Sequence, residues 1–304
     1  MGQSFGLRFM SFYKNQKILL ATKHQKEKVI APIFKKILGA EIIVPQDFDT
    51  DQFGTFSFEL PRELNGYQTA VKKAKTAAED YGVKLVVASE GSFGPHPDYF
   101  WMSSDIEIMV FLDLDRSLEI SEYVISTETN HDELWINRDY KKFPEYKNFL
   151  EKIAFPSHGL IIHGSLNQDQ NKSKDSQDIF LSKGIYDFKF LEQQISLGFD
   201  QYGYETLCLK TDMRAMLNTS RMKVIGKLAE KLAQRINCLC QKCENPGFGK
   251  LSSSGYLSCE SCDQASFLYK YQVQSCIACD HKILLPRPDG LIKAPMSHCQ
   301  FCNP

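Results

Sequence analysis

Four Cys-x-x-Cys pairs crowd the last third of this 304-residue chain: Cys240 with Cys243, Cys259 with Cys262, Cys276 with Cys279, and Cys299 with Cys302. Nine of the ten cysteines lie from Cys238 onward. Two thiolates separated by two residues can close on one ion, and four give a tetrahedral shell with no open position, which is structural rather than catalytic chemistry. The gaps between the first and second pairs and between the third and fourth fit zinc ribbons. On spacing, two sequential sites are therefore favoured over a crossed arrangement in which Cys240 and Cys243 share an ion with Cys276 and Cys279. Two structural zinc ions are expected. Cys238 falls outside the knuckles, and Cys208, in an apolar run, reads as a small buried hydrophobe.

Residues 238–304 hold six Lys or Arg against five Asp or Glu, and each tetrathiolate zinc would add two negative charges. This balance, like the net charge of −1 for the whole chain, does not favour nucleic-acid binding. No apolar run approaches the roughly 18 residues of a membrane span, and Met1 to Ala21 mixes Arg8, Lys14 and Lys17 with its apolar residues, so neither a span nor a signal peptide is expected. The expectation is a cytoplasmic protein. A dense cysteine block in a reducing compartment points to metal rather than disulfides.

Three polar stretches elsewhere could carry chemistry. Thr22-Lys23-His24-Gln25-Lys26-Glu27-Lys28 opens a helix after an apolar run, where backbone amides and lysines suit an anion. Ser89-Glu90-Gly91-Ser92-Phe93-Gly94-Pro95-His96-Pro97-Asp98 follows a strand and packs Glu90, Ser92, His96 and Asp98 among glycines and prolines. Glu107 interrupts an apolar strand, an expensive place for a carboxylate unless a cation or hydrogen bonds meet it. Lys210-Thr211-Asp212-Met213-Arg214 adds a guanidinium able to bind two oxygens of a phosphate or carboxylate, or to pair with Asp212. Arg221 follows within two helical turns.

The elements that must position these groups alternate. Strand, helix, strand is read over 17–22, 27–38 and 41–44. A helix over 68–81 ends at Gly82, and strands follow at 84–88, 106–114 and 122–127, with 91–102 as a loop. Further on, 159–163 is a strand, 165–178 a polar loop, 186–197 a helix, and 219–236 a helix capped by Asn218 or Thr219 with Met222, Ile225, Leu228, Leu232 and Ile236 on one stripe. The fold class is α/β, a mixed sheet with helices on its faces over residues 1–237, followed by a tandem zinc-ribbon module over 238–304.

The strings Gly54-Thr55-Phe56-Ser57, Glu59-Leu60-Pro61-Arg62, Ala88 to Pro97, Thr211-Asp212-Met213-Arg214-Ala215 and the terminal knuckles resemble a bacterial family, domain of unknown function 6671, over most of the chain. Asn218-Thr219-Ser220-Arg221-Met222 is similar to that family's Asn-Pro-Thr-Arg-Met with two changes. The family name implies no activity. A second resemblance, over about residues 17 to 113, is to the house-cleaning nucleoside triphosphate pyrophosphatases, an ITPase-like fold. Thr22, Lys28, Glu59 or Glu63, and Glu90 stand at comparable places, although the paired-acid signature is here Ser89-Glu90-Gly91. That resemblance implies Mg²⁺ on Glu59 or Glu63 with Glu90. It also implies phosphates held by Thr22, Lys23 and Lys28, and a water oriented by Glu107 or His96; Ser92 and Arg214 are expected as further substrate contacts from the polar stretches that carry them. The expectation is a metal-dependent hydrolase of a nucleotide-like phosphate; the alternative is a non-enzymatic binding protein whose ribbons contact protein or nucleic acid.

Overall fold

Apolar runs between Lys17 and Ser126 pair into one five-stranded sheet in the computed structural model, which describes residues 12–53, 64–164 and 181–304. The strands are β1 (Lys17–Ala21), β2 (Glu41–Ile43), β3 (Leu85–Pro95), β4 (Ser103–Asp113) and β5 (Leu118–Ser126), in the order β2-β1-β3-β4-β5. The first three are parallel and the last two are added antiparallel, so the sheet is mixed. The crossover helices α1 (Glu27–Leu38) and α2 (Gly66–Tyr81) lie between β1 and β2 and between β2 and β3. Asn65 starts α2 with a capping box to Gln68, and Gly82 ends it at φ +62°, a left-handed conformation that favours glycine.

Alternate residues of each strand face opposite sides. Ile18, Leu20, Val87, Met109 and Phe111 pack with Ile30, Phe34 and Leu38 of α1 and with Ile225, Leu228, Leu232 and Ile236. The other face, Leu19, Ala21, Val86, Ala88, Val110 and Leu112, packs on the alanine stripe Ala70, Ala74, Ala77 and Ala78 of α2. The small alanines let this helix sit close to the sheet.

Two expectations need correction. The segment 91–102 is not one loop: β3 runs on to Pro95, paired with β4 from Leu85 opposite Asp113 to Pro95 opposite Ser103, and only the tip turns. Glycines and a proline that punctuate loops elsewhere are carried here within a long hairpin. A second sheet also went unforeseen. It comprises β6 (Glu133–Ile136), β7 (Leu160–Gly164), β8 (Leu181–Ile185) and β9 (Leu207–Thr211), ordered β6-β9-β7-β8, with α3 (Pro144–Lys152) and α4 (Phe188–Ser196) on its core. The polar stretch 165–178 lies outside the described residues.

Helix α5 (Thr219–Ile236) returns the chain to the first sheet, and the Asn218 side chain accepts from the Arg221 amide as its cap. The chain then enters a three-stranded antiparallel sheet, β10 (Lys250–Ser258), β11 (Ala265–Ser275) and β12 (Lys282–Pro286). This module sits against β5. Arg235 of α5 donates to the Gly247 and Ser121 carbonyls and pairs with Glu122. A Cβ at Gly247 (φ +90°) would lie 2.6 Å from Ile120 Cδ1, so only glycine allows this approach.

Candidate functional site

The cysteines form two quartets, Cys240, Cys243, Cys276, Cys279 and Cys259, Cys262, Cys299, Cys302, which could hold two metal ions. The Sγ–Sγ separations of 3.8, 3.7, 3.9 and 3.6 Å are far longer than a disulfide. They match the edge of about 3.8 Å in a tetrahedral tetrathiolate with metal–sulfur bonds of about 2.3 Å. The pairing is therefore crossed, and the favoured sequential ribbons are corrected. Strand geometry gives the reason. Nine residues of β10 separate the first knuckle from the second by about 30 Å. The antiparallel return of β11 then carries the third knuckle back to the first, Ser275 standing opposite Lys250. Cys208 is buried, and burial pushes its thiol up to about 12, whereas Cys238 is exposed.

In the first sheet the order β2-β1-β3 places a topological switch between β1 and β3, where open α/β sheets bind ligands beyond the carboxyl ends of their strands. Strand β1 stops at Ala21 beside Ala88, while β3 continues. Three successive β3 residues there meet buried cations from three helices. Ser89 Oγ accepts from Lys26 Nζ at 2.9 Å, and Glu90 pairs with Lys73 of α2. Gly91 lies under the pair formed by Arg221 of α5 and Glu107, whose Nε to Oε1 distance is 2.5 Å. A Cβ at Gly91 would fall 2.5 Å from Glu107 Oε1 and 2.6 Å from Arg221 Nη2, so glycine at this position leaves the room the pair occupies. Arg221 also donates to the Met213 carbonyl and lies 5.0 Å over the Phe93 ring.

Lys26, Lys73, Glu90, Asp105, Glu107 and Arg221 are all buried. Such charges are costly to bury, and apolar side chains of similar volume are often as stable, so stability alone is a poor reason for six of them. Lys26 also breaks a local rule: it is the N-cap of α1, with no side-chain cap bond, and sets a cation at the positive end of the helix. Burial and then the Arg221 charge hold it down to about 8. Asp105 is pushed up to about 8 by burial and by Glu107 beside it.

These shifts fix the sign of a pH effect. Folded Asp105 keeps its proton to about pH 8, against 3.8 ordinarily, so its contribution is full below that lower value and is lost as pH rises through the window between them. Folded Lys26 gives up its proton near pH 8 rather than 10.5, so its penalty is relieved between those values. In urea denaturation without added divalent cations, the wild-type chain is expected to lose stability relative to Asp105→Asn from pH 5 to 8. The slope should reach up to about 1.4 kcal/mol per pH unit. A difference that does not vary with pH would place the proton elsewhere.

The other anticipated residues are scattered. Thr22 Oγ1 accepts from the His24 amide, Lys23 pairs with Asp49 at 2.9 Å on the surface, and exposed Lys28 donates to Gln25. Ser92 is half-buried on β3 opposite Ile106. His96 Nδ1 accepts from the Asp98 and Tyr99 amides in the hairpin tip, five residues or about 17 Å along from Gly91. Arg214 forks onto buried Asp212, with Nη2 to Oδ2 at 2.6 Å. Glu59 and Glu63 lie outside the described residues. Of the site residues, Lys73 and Asp105 were not anticipated, whereas Lys26 belongs to the lysine-bearing stretch at the start of α1 and Arg221 was noted only as following Arg214. Two carried a visible signal: Lys73 sits in the alanine stripe of α2 three residues after Ala70, and Arg221 stands four before Ile225 on the buried stripe of α5.

Among the described residues no helix is long and apolar enough to cross a membrane. A protein family described as a domain of unknown function (DUF6671) matches residues 73–304, which include Lys73, the β3–β4 hairpin, Arg221 and both cysteine quartets. No curated protein matches the chain.

Proposed function

The chain belongs to the DUF6671 family, and we propose that its α/β body is a metal-dependent hydrolase of a nucleotide-like phosphate substrate, acting beyond the carboxyl ends of β1 and β3. The observation that carries this reading is the convergence of Lys26, Lys73 and Arg221 on Ser89, Glu90 and Gly91 at the switch point. Below pH 8, with Asp105 protonated, the cations Lys26 and Arg221 meet the single carboxylate Glu107 while Lys73 is balanced by Glu90, and the excess positive charge favours an anion. Positive charge fixed in a dry site is also what stabilises phosphoryl oxygens during transfer. Thr22, Lys23 and Lys28, in and just after the loop entering α1, would meet the phosphates from the solvent side. The cysteine quartets we assign to zinc, because four soft thiolates in a closed tetrahedron suit that ion and leave it a structural role.

The test is release of phosphate or pyrophosphate from a broad nucleotide panel with Mg²⁺. Lys26→Met is expected to lower kcat/KM by about 100-fold or more in a chain that still folds. No turnover of any nucleotide by folded, metal-loaded protein would overturn the reading. A second reading, a binding protein, is supported by Ile292, Met296 and Phe301, exposed around the Cys259 quartet. It predicts partner binding that survives Lys26→Met and is lost in a Cys259→Ser variant.

A further inference from the structure

Most charged atoms of the buried cluster already have a counter-group. Lys73 holds Glu90, Lys26 reaches Ser89, and Arg221 holds Glu107 through Oε1. Two acidic oxygens do not: Asp105 Oδ1 and Glu107 Oε2 are buried, and among the described residues no donor reaches them other than a proton the two neighbouring carboxyls would share. Their residues are 1% and 0% exposed. They stand two apart on β4, opposite Phe93 and Gly91, and so project from the same face of the sheet as Met109, toward α5. A buried carboxylate oxygen without a donor or cation is among the costliest groups a fold can hold, and two side by side compound the cost.

We propose that Asp105 and Glu107 are the protein ligands of a hard divalent cation, Mg²⁺ or Mn²⁺, bound on β4 beside Arg221 and Lys26. This rests on the phosphate-hydrolase reading for the cation's purpose, and it moves the ligands away from Glu90, whose carboxylate is neutralised by Lys73. Two carboxylates with the remaining positions left to water and phosphate is the usual way Mg²⁺ is held in phosphoryl-transfer sites. The soft cysteine quartets offer no rival site to such an ion. Charge sets the order of events. With all three acids ionised the cluster is neutral, so the dication leaves a surplus of two positive charges that only an anion offsets. The cation is therefore held weakly alone and more tightly once phosphate arrives.

Mn²⁺ and inorganic phosphate are the probes, added to the full zinc-loaded chain at pH 8.5 and followed by electron paramagnetic resonance. The expected result is one Mn²⁺ per chain, tightened about tenfold by phosphate. Binding should weaken by more than about tenfold in Asp105→Asn and be unchanged in the surface control Glu79→Gln. A measurement needing no variant runs beside it: Mn²⁺ should broaden the Gly91 and Phe93 amide resonances of the wild-type chain first. The proposal is overturned if no Mn²⁺ binds with or without phosphate, if Asp105→Asn binds it equally, or if the broadening appears elsewhere. The readout involves no turnover. A chain that binds Mn²⁺ here but hydrolyses nothing ends the hydrolase reading and leaves the cation site, whereas turnover without a bound cation does the reverse.

Discussion

Replacing Cys259 alone with serine should release both metal ions, with metal content falling from two per chain to below one. Each strand of the terminal sheet connects the two quartets. Strand β10 runs from the Cys240 knuckle to the Cys259 knuckle, β11 returns to Cys276, and β12 heads back toward the pair at Cys299. Loss of one quartet frees one end of all three strands. Little else holds them, because Leu257, Val273 and Ala294 are among the few buried apolar side chains of a thin sheet. Structural zinc in small domains contributes on the order of 10–16 kcal/mol, far more than such a core supplies. Atomic absorption would read the stoichiometry, and limited proteolysis should find residues 250–302 cleaved while the α/β body stays protected. Two independent ribbons would behave otherwise, retaining the second ion and an intact segment from Cys276 onward, and a variant that did so would refute the crossed assignment.

That example marks what a sequence discloses about a metal site. Ligand identity and number are local and can be read from the Cys-x-x-Cys spacings. Which knuckle meets which depends on where a hairpin folds back, and nothing in the intervals of 15 and 19 residues between knuckles encodes the register of Lys250 opposite Ser275. The same division runs through the first domain. Helices α1 and α5 were legible to the residue because apolar side chains recur on one face and Gly39 or Asn218 punctuates an end. The short strands β6 and β8 were not, since Glu133–Ile136 and Leu181–Ile185 are brief edge strands with mixed polarity and a single buried side chain each. In the buried cluster, Glu107 was visible as an acid in a costly place and Glu90 as one of the polar groups crowded among glycines and prolines. Lys73 was hidden in a helix that read as a plain alanine stripe, and Arg221 was visible only as a neighbour of Arg214, because a cation on such a stripe has no meaning until the facing strand supplies its carboxylate.

Arg221→Met should destabilise the chain by about 3–5 kcal/mol, the cost of removing one partner from a buried ion pair, and the second half of a mutant cycle should return most of it. The guanidinium ties three segments together: Nε holds Glu107 on β4, Nη1 holds the Met213 carbonyl after β9, and its own backbone opens α5. With methionine the packing volume survives, and the Glu107 carboxylate is left charged and buried. Adding Glu107→Gln removes that charge, so the double variant should lie within about 1–2 kcal/mol of the wild type in urea denaturation. Arg221→Lys separates charge from shape. It keeps a cation near Glu107 but loses the planar fork that reaches Met213 and stacks on Phe93, and an intermediate loss of about 1–3 kcal/mol is expected. A double variant no more stable than Arg221→Met would mean that Arg221 acts through its packing and its bond to Met213, and that Glu107 answers to some other group. Recovery in the double variant would instead give a cluster that can lose its charges and still fold, which would leave ligand chemistry rather than stability as the reason they are there.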